Sequence, residues 1–121
     1  GYAAARIEER ILDGRISYFV AVASDRLVGV IGIGRGPRIQ HFFVAEPLHR
    51  SGLGGALWER AKADTLNGMA AGTEHVIEVR SSVYAVPVYQ RFGFNVCGAA
   101  VEGVGVTYLP MRAILRKSGT Q

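Results

Sequence analysis

The sequence predicts an α/β domain of the mixed α+β kind, a central mixed sheet whose crossover connections are helices. Three observations lead there. Runs rich in β-branched and aromatic residues alternate with stretches of helical spacing, turn residues separate the two, and the 121-residue length suits one core and leaves no room for a second. A chain of this size buries roughly two-thirds of its unfolded surface, enough for a packed interior without staples.

The elements follow in order. Ala3 to Leu12 reads as the end of a helix, because alanine, arginine and glutamate favour helix and Ile7 and Ile11 stand four apart; Asp13-Gly14 stops it. Tyr18 to Ala23 and Leu27 to Ile33, split by Ser24-Asp25-Arg26, read as a hairpin. Gly34, Gly36 and Pro37 make the next turn, and Arg38 to Val44 is a third strand. Ala45 to Ser51 is a loop, from which a helix opens at Gly52 and runs to about Asn67, with Leu53, Leu57 and Ala61 as its apolar stripe and Asn67-Gly68 as its end. His75 to Arg80 is a strand, and Pro87 starts a short helix that Gly93 closes. A final pair of strands covers about Phe94 to Ala100 and Gly105 to Leu115. Neither a repeat nor an interdomain linker is visible.

Composition narrows the function classes. With 49% hydrophobic and 20% charged residues the chain is neither disordered nor collagen-like. A single cysteine, Cys97, excludes an internal disulfide and fits a reducing compartment. His41, His49 and His75 lack ligand spacing, so no metal is expected. The apolar runs are too short to span a membrane, and no basic segment precedes an apolar one at the start, so a cytoplasmic protein is expected. The net charge of +4 is spread from Arg6 to Arg116 instead of forming a stripe with interleaved aromatics. That argues for an anionic small ligand over nucleic acid.

The richest segment is His49-Arg50-Ser51-Gly52-Leu53-Gly54-Gly55. A helix start exposes N–H groups with no intrahelical partner and about half a positive charge, and glycines there let a bulky anion such as a diphosphate approach. Arg50 adds a charged contact at the rim. The alternative is that Gly52, Gly54 and Gly55 only permit close helix-to-sheet packing. Neither familiar phosphate fingerprint fits: no lysine follows these glycines, and Leu57 stands where a dinucleotide motif has its third glycine. The run Gly29, Gly32, Gly34 lies within a strand and cannot open a helix.

Val44 to Leu57 resembles the acyl-CoA loop of the GNAT superfamily of N-acetyltransferases, a strand ending in valine followed by Gln/Arg-x-x-Gly-x-Gly/Ala at a helix start. Ser82 to Phe94 resembles that family's later Ala-x-x-x-Tyr-x-x-x-Gly-Phe motif through Ala85, Tyr89, Gly93 and Phe94, and Gly105 to Met111 is a weaker third match. The likeness covers roughly residues 5 to 115. It implies a GNAT-like sheet over residues 1–121 as a single domain without the family's first strand and helix, the sequence being either N-terminally truncated or built without those elements. His49 departs from the pattern, standing where the family has Gln or Arg.

The resemblance implies transfer of an acetyl group from acetyl-CoA to an amine by direct attack. Phe42, Phe43 and Val44 would hold the pantetheine arm and the oxyanion through main-chain groups, beside a strand splayed away by a bulge. His49, Arg50, Ser51, Gly52, Leu53, Gly54, Gly55 and Ser82 would bind the rest of the cosubstrate. Tyr89 is the candidate acid for the leaving thiolate, with Tyr84 behind it; read without the family, Tyr89 is a core aromatic. Ser82 serves equally well as a helix cap. The base is His41, Glu46 or water, and Cys97 is no nucleophile. Trp58 packs the helix on the sheet. The acceptor is a small-molecule or peptide amine, a homodimer is expected from a bare sheet edge, and the competing reading is a non-catalytic acyl-CoA-binding regulatory module.

Overall fold

The structure, a computed structural model, describes residues 5–119. Among them are eight strands and two α-helices, the mixed α/β class that the order of segments predicts. They form two compact units, residues 5–35 with 39–68, and residues 36–38 with 69–119.

In the first unit, strands β1 (Arg6–Asp13), β2 (Ile16–Ala23), β3 (Arg26–Gly34) and β4 (Arg38–Val44) lie side by side in that order. The hairpin β2–β3 turns through Ser24 and Asp25, both at positive φ (52° and 60°). That is the turn whose twist matches paired strands. Its register sets Phe19 opposite Ile31 and Ala21 opposite Gly29. Helix α1 (Leu53–Asn67) packs across β2 and β3 and buries Leu57, Trp58 and Ala61. Gly29 explains how close it comes, since a Cβ there would lie 3.0 Å from Leu57 Cδ1 and 3.2 Å from the Phe43 carbonyl. An isolated glycine inside a strand commonly marks such an approach.

The helix expected up to Leu12 is instead strand β1, antiparallel to β2 with Arg10 opposite Tyr18 and Glu8 opposite Val20. Residues 3 and 4 of that expected helix lie outside the described residues. Propensity favours a helix by only tenths of a kcal/mol per residue, and strand pairing outweighs it. Asp13-Gly14 therefore opens a hairpin into β2, the other meaning of an Asp-Gly pair. Glu8 accepts hydrogen bonds from Arg6 and Arg10, and the Arg10 bond foremost lowers its carboxyl pKa.

In the second unit, β5 (Glu74–Ser81) pairs antiparallel with β8 (Val106–Arg116), and β6 (Asn95–Val96) lies on the far side of β8. Alternation along β5 and β8 buries Ile77, Val79, Met111, Ala113 and Leu115. Helix α2 (Val86–Arg91) follows β5, with Pro87 in its first turn. Of the strand expected from Phe94 to Ala100 only β6 forms, and a separate short strand, β7 (Val101–Gly103), follows where no strand is expected. The pairing jumps from Val96–Met111 to Val101–Tyr108, leaving four residues, 97–100, against Leu109 and Pro110. Pro110 has no N–H to continue the ladder.

Candidate active site

The first unit brings together most of the residues singled out from the sequence. The chain leaves β4 at Val44, anchors Ala45 N–H on the Val28 carbonyl (2.8 Å), and makes one 3-10 turn over Glu46–Leu48. The His49 ring then folds back so that Nε2 donates to the Val44 carbonyl at 2.8 Å. Arg50 adopts the left-handed conformation (φ 66°), as does Gly52 (φ 89°), the residue that caps α1. Between them the Ser51 hydroxyl donates to the Leu48 carbonyl (2.5 Å) and accepts from Leu53 N–H (3.2 Å).

This arrangement leaves the N–H groups of Gly52, Gly54 and Gly55 without a protein acceptor among the described residues. The three glycines are not equivalent. A Cβ at Gly54 would press on Phe42 Cζ at 3.1 Å, so this glycine lets the helix start sit on the Phe42 ring, a packing role. Gly55 and Gly52 have nothing within 4 Å of where a Cβ would stand. Packing therefore accounts for Gly54, whereas Gly55 keeps a space clear. Amides at the positive end of a helix dipole, with exposed Arg50 beside them, are of the kind that attract an anion. This contact of the Phe42 side chain under the helix start is one that the sequence reading did not anticipate.

His41 and Phe43 are exposed on β4, while Ile39 on the same strand is buried. The His41 ring stacks on Tyr18 with centroids 5.6 Å apart, and Tyr18 itself lies over Gly32, where a Cβ would come within 2.7 Å of the ring. Glu46 is exposed in the 3-10 turn.

Tyr89, Tyr84 and Ser82 belong to the second unit. Tyr89 is buried (6% exposed), edge-on to Phe92 and Phe94, and burial pushes its phenol up to about 12. Helix α2 ends in a pair of bonds, Gly93 N–H to the Gln90 carbonyl (3.0 Å) and Phe94 N–H to the Tyr89 carbonyl (2.9 Å), with Gly93 at φ 101°. This is the glycine stop that satisfies the last carbonyls of a helix, and it sets Phe94 against Tyr89. Tyr84 is 93% exposed. The Ser82 hydroxyl accepts from Ala85 N–H (3.2 Å), so it caps the turn that leads into α2. Cys97 is exposed, and among the described residues no three His, Cys, Asp or Glu side chains are grouped to hold a metal. No helix there is long and apolar enough to cross a membrane.

The glycine-rich loop after the fourth strand sits on a mixed α/β scaffold. The family model for the acetyltransferase (GNAT) domain matches residues 2–115, and the chain belongs to that family. Among solved structures it resembles Escherichia coli ElaA (TM-score 0.70, 18% identity, covering 85% of this chain and 74% of that one). It also resembles the ribosomal-protein-S18-alanine N-acetyltransferase from Escherichia coli (0.66, 18%, 90% and 75%). A third is a GNAT family acetyltransferase from Elizabethkingia anophelis with acetyl-CoA bound (0.63, 14%, 94% and 97%). At these identities the likenesses show the fold. No curated protein matches the sequence.

Proposed function

We propose that the protein transfers an acetyl group from acetyl-CoA to an amine borne by a small molecule or a peptide. The observation that carries this reading is the row of free amides at Gly52, Gly54 and Gly55, with clear space over Gly55. Those amides and Arg50 hold the diphosphate, and main-chain groups of Phe42, Phe43 and Val44 hold the pantetheine arm. When bound, acetyl-CoA supplies the activated thioester. A main-chain N–H of the Phe42–Val44 stretch would donate to the carbonyl oxygen where negative charge develops, a contact typically worth ~3 kcal/mol. The Tyr89 hydroxyl supplies the proton that the departing sulfur takes up, and solvent returns a proton to the phenolate after release. With its phenol pushed up to about 12, Tyr89 keeps that proton throughout the neutral range. The incoming amine's proton passes to solvent, directly or by way of exposed His41 or Glu46. We further propose a cytoplasmic location and a homodimer joined along β1, the outermost strand of its unit, where Ile11 and Leu12 are exposed.

Calorimetry with acetyl-CoA, followed by thiol release across a panel of amines, tests the transfer. Binding and amine-dependent release are expected. A folded protein that gives no heat with acetyl-CoA sinks the reading, and binding without release from any amine reduces it to an acyl-CoA-binding module. Tyr89→Phe should lower kcat by roughly 10²-fold or more while acetyl-CoA affinity holds. An unchanged kcat removes Tyr89 from the chemistry.

A further inference from the structure

The residue that breaks the family pattern makes a side-chain contact within the loop itself. His49 Nε2 lies 2.8 Å from the Val44 carbonyl. A carbonyl only accepts, so Nε2 carries the hydrogen and the ring nitrogen aimed at the chain is engaged with backbone. Its own N–H is also tied down, to the Glu46 carbonyl at 3.0 Å. Two residues on, Ser51 forms the second link, from the Leu48 carbonyl to Leu53 N–H. Ser51 N–H adds a bond to the same Leu48 carbonyl at 3.1 Å. Each end of the β4–α1 loop is therefore pinned by one side chain.

Arg50 sits between the pins in a left-handed conformation that costs a non-glycine residue free energy. Such a conformation persists only where its surroundings over-determine it. Here the surroundings are the His49 and Ser51 links. They hold the peptide planes on both sides of Arg50, and so set the direction in which the amides from Gly52 onward point. Preorganised donors bind an anion more tightly than donors that must first be ordered.

From this we infer that His49 is a positioning residue for the cosubstrate cradle: it clamps the loop to the end of β4 and makes no side-chain contact with the diphosphate. Ser51 does the same at the helix side. The inference rests on the acyl-CoA reading above and goes beyond it by giving these two side chains a role distinct from ligand contact.

The experiment uses the full chain with CoA itself as the probe. Imidazole ¹⁵N spectra should show His49 in the Nε2–H tautomer, unchanged when CoA is added; a switch to Nδ1–H, or coupling between a ring nitrogen and ³¹P, overturns the inference. His49→Ala should weaken CoA binding about tenfold, the worth of one net hydrogen bond, with the salt dependence of binding unaltered. His49→Gln, whose amide N–H reaches as far as Nε2, should restore most of the affinity. A salt dependence reduced in His49→Ala would mean that a charge on the ring had been meeting phosphate. Wild-type affinity in His49→Ala would show that the clamp sets nothing. If the wild-type protein failed to bind CoA while keeping the Nε2–H tautomer, the acyl-CoA reading would fall and the clamp would remain only a feature of the loop.

Discussion

At the scale of single residues, Tyr89 shows how one environment serves two ends. The ring lies buried against Phe92 and Phe94, as a core aromatic should, and the same desolvation holds the proton on its oxygen. This links the residue to alkaline stability. Below pH ~10 the phenol is protonated in both the folded and unfolded chain, so its contribution is complete. Between the unfolded value near 10 and the folded value of about 12, only the unfolded chain gives up the proton, and stability falls as pH rises. The loss totals on the order of 2–3 kcal/mol. Denaturant titrations from pH 9 to 12 should show a shallower decline for Tyr89→Phe than for the parent; parallel curves would place the shift elsewhere.

Among the elements, α1 makes the sharpest prediction, because its glycines do different jobs. Gly55→Ala places a methyl in open space and introduces a better helix former, so stability should hold or rise by up to about 1 kcal/mol. The same methyl obstructs the amides and should weaken acetyl-CoA binding on the order of tenfold, the loss of one charge-assisted hydrogen bond. Gly52→Ala, forced to φ 89°, should instead cost roughly 1–2 kcal/mol in thermal or denaturant melts. If Gly55→Ala bound acetyl-CoA like the parent, the clear space would have no part in binding. Most elements were legible in the sequence where two signals agreed: β2 and β3 by β-branched residues flanking a turn, and α1 by its glycines and apolar stripe. Elsewhere one signal had two meanings. Ile7 and Ile11 four apart suit a helix, but Asp13-Gly14 suits a hairpin just as well, and only the pairing with β2 decides. The break between β6 and β7 depends on which residue faces Pro110, a fact of register that the linear order does not contain. In the site, the glycine positions could be read, whereas the His49 clamp could not, since it exists only once the loop closes on Val44.

For the molecule as a whole, the net charge of +4 is the relevant quantity. A dispersed positive field favours approach of a polyanion such as acetyl-CoA and is screened by salt over about 10 Å at 0.1 M. Raising the ionic strength from low to about 0.5 M should slow association several-fold while changing dissociation little, as stopped-flow binding would register. The β1 edge bears on assembly in the same way. If it joins two copies, Ile11→Lys should shift the protein toward monomer in sedimentation equilibrium, because a charge on an edge strand discourages pairing. Unchanged mass would put any self-association on another surface.

The exposed Cys97, the only sulfhydryl in the chain, has a practical corollary. Any colorimetric disulfide reagent used to count liberated CoA will also react with the protein, adding one equivalent per chain as an initial burst that mimics a first turnover. Cys97→Ser would remove that artefact. Conversely, the same atom offers a unique attachment point for a fluorophore on the second unit.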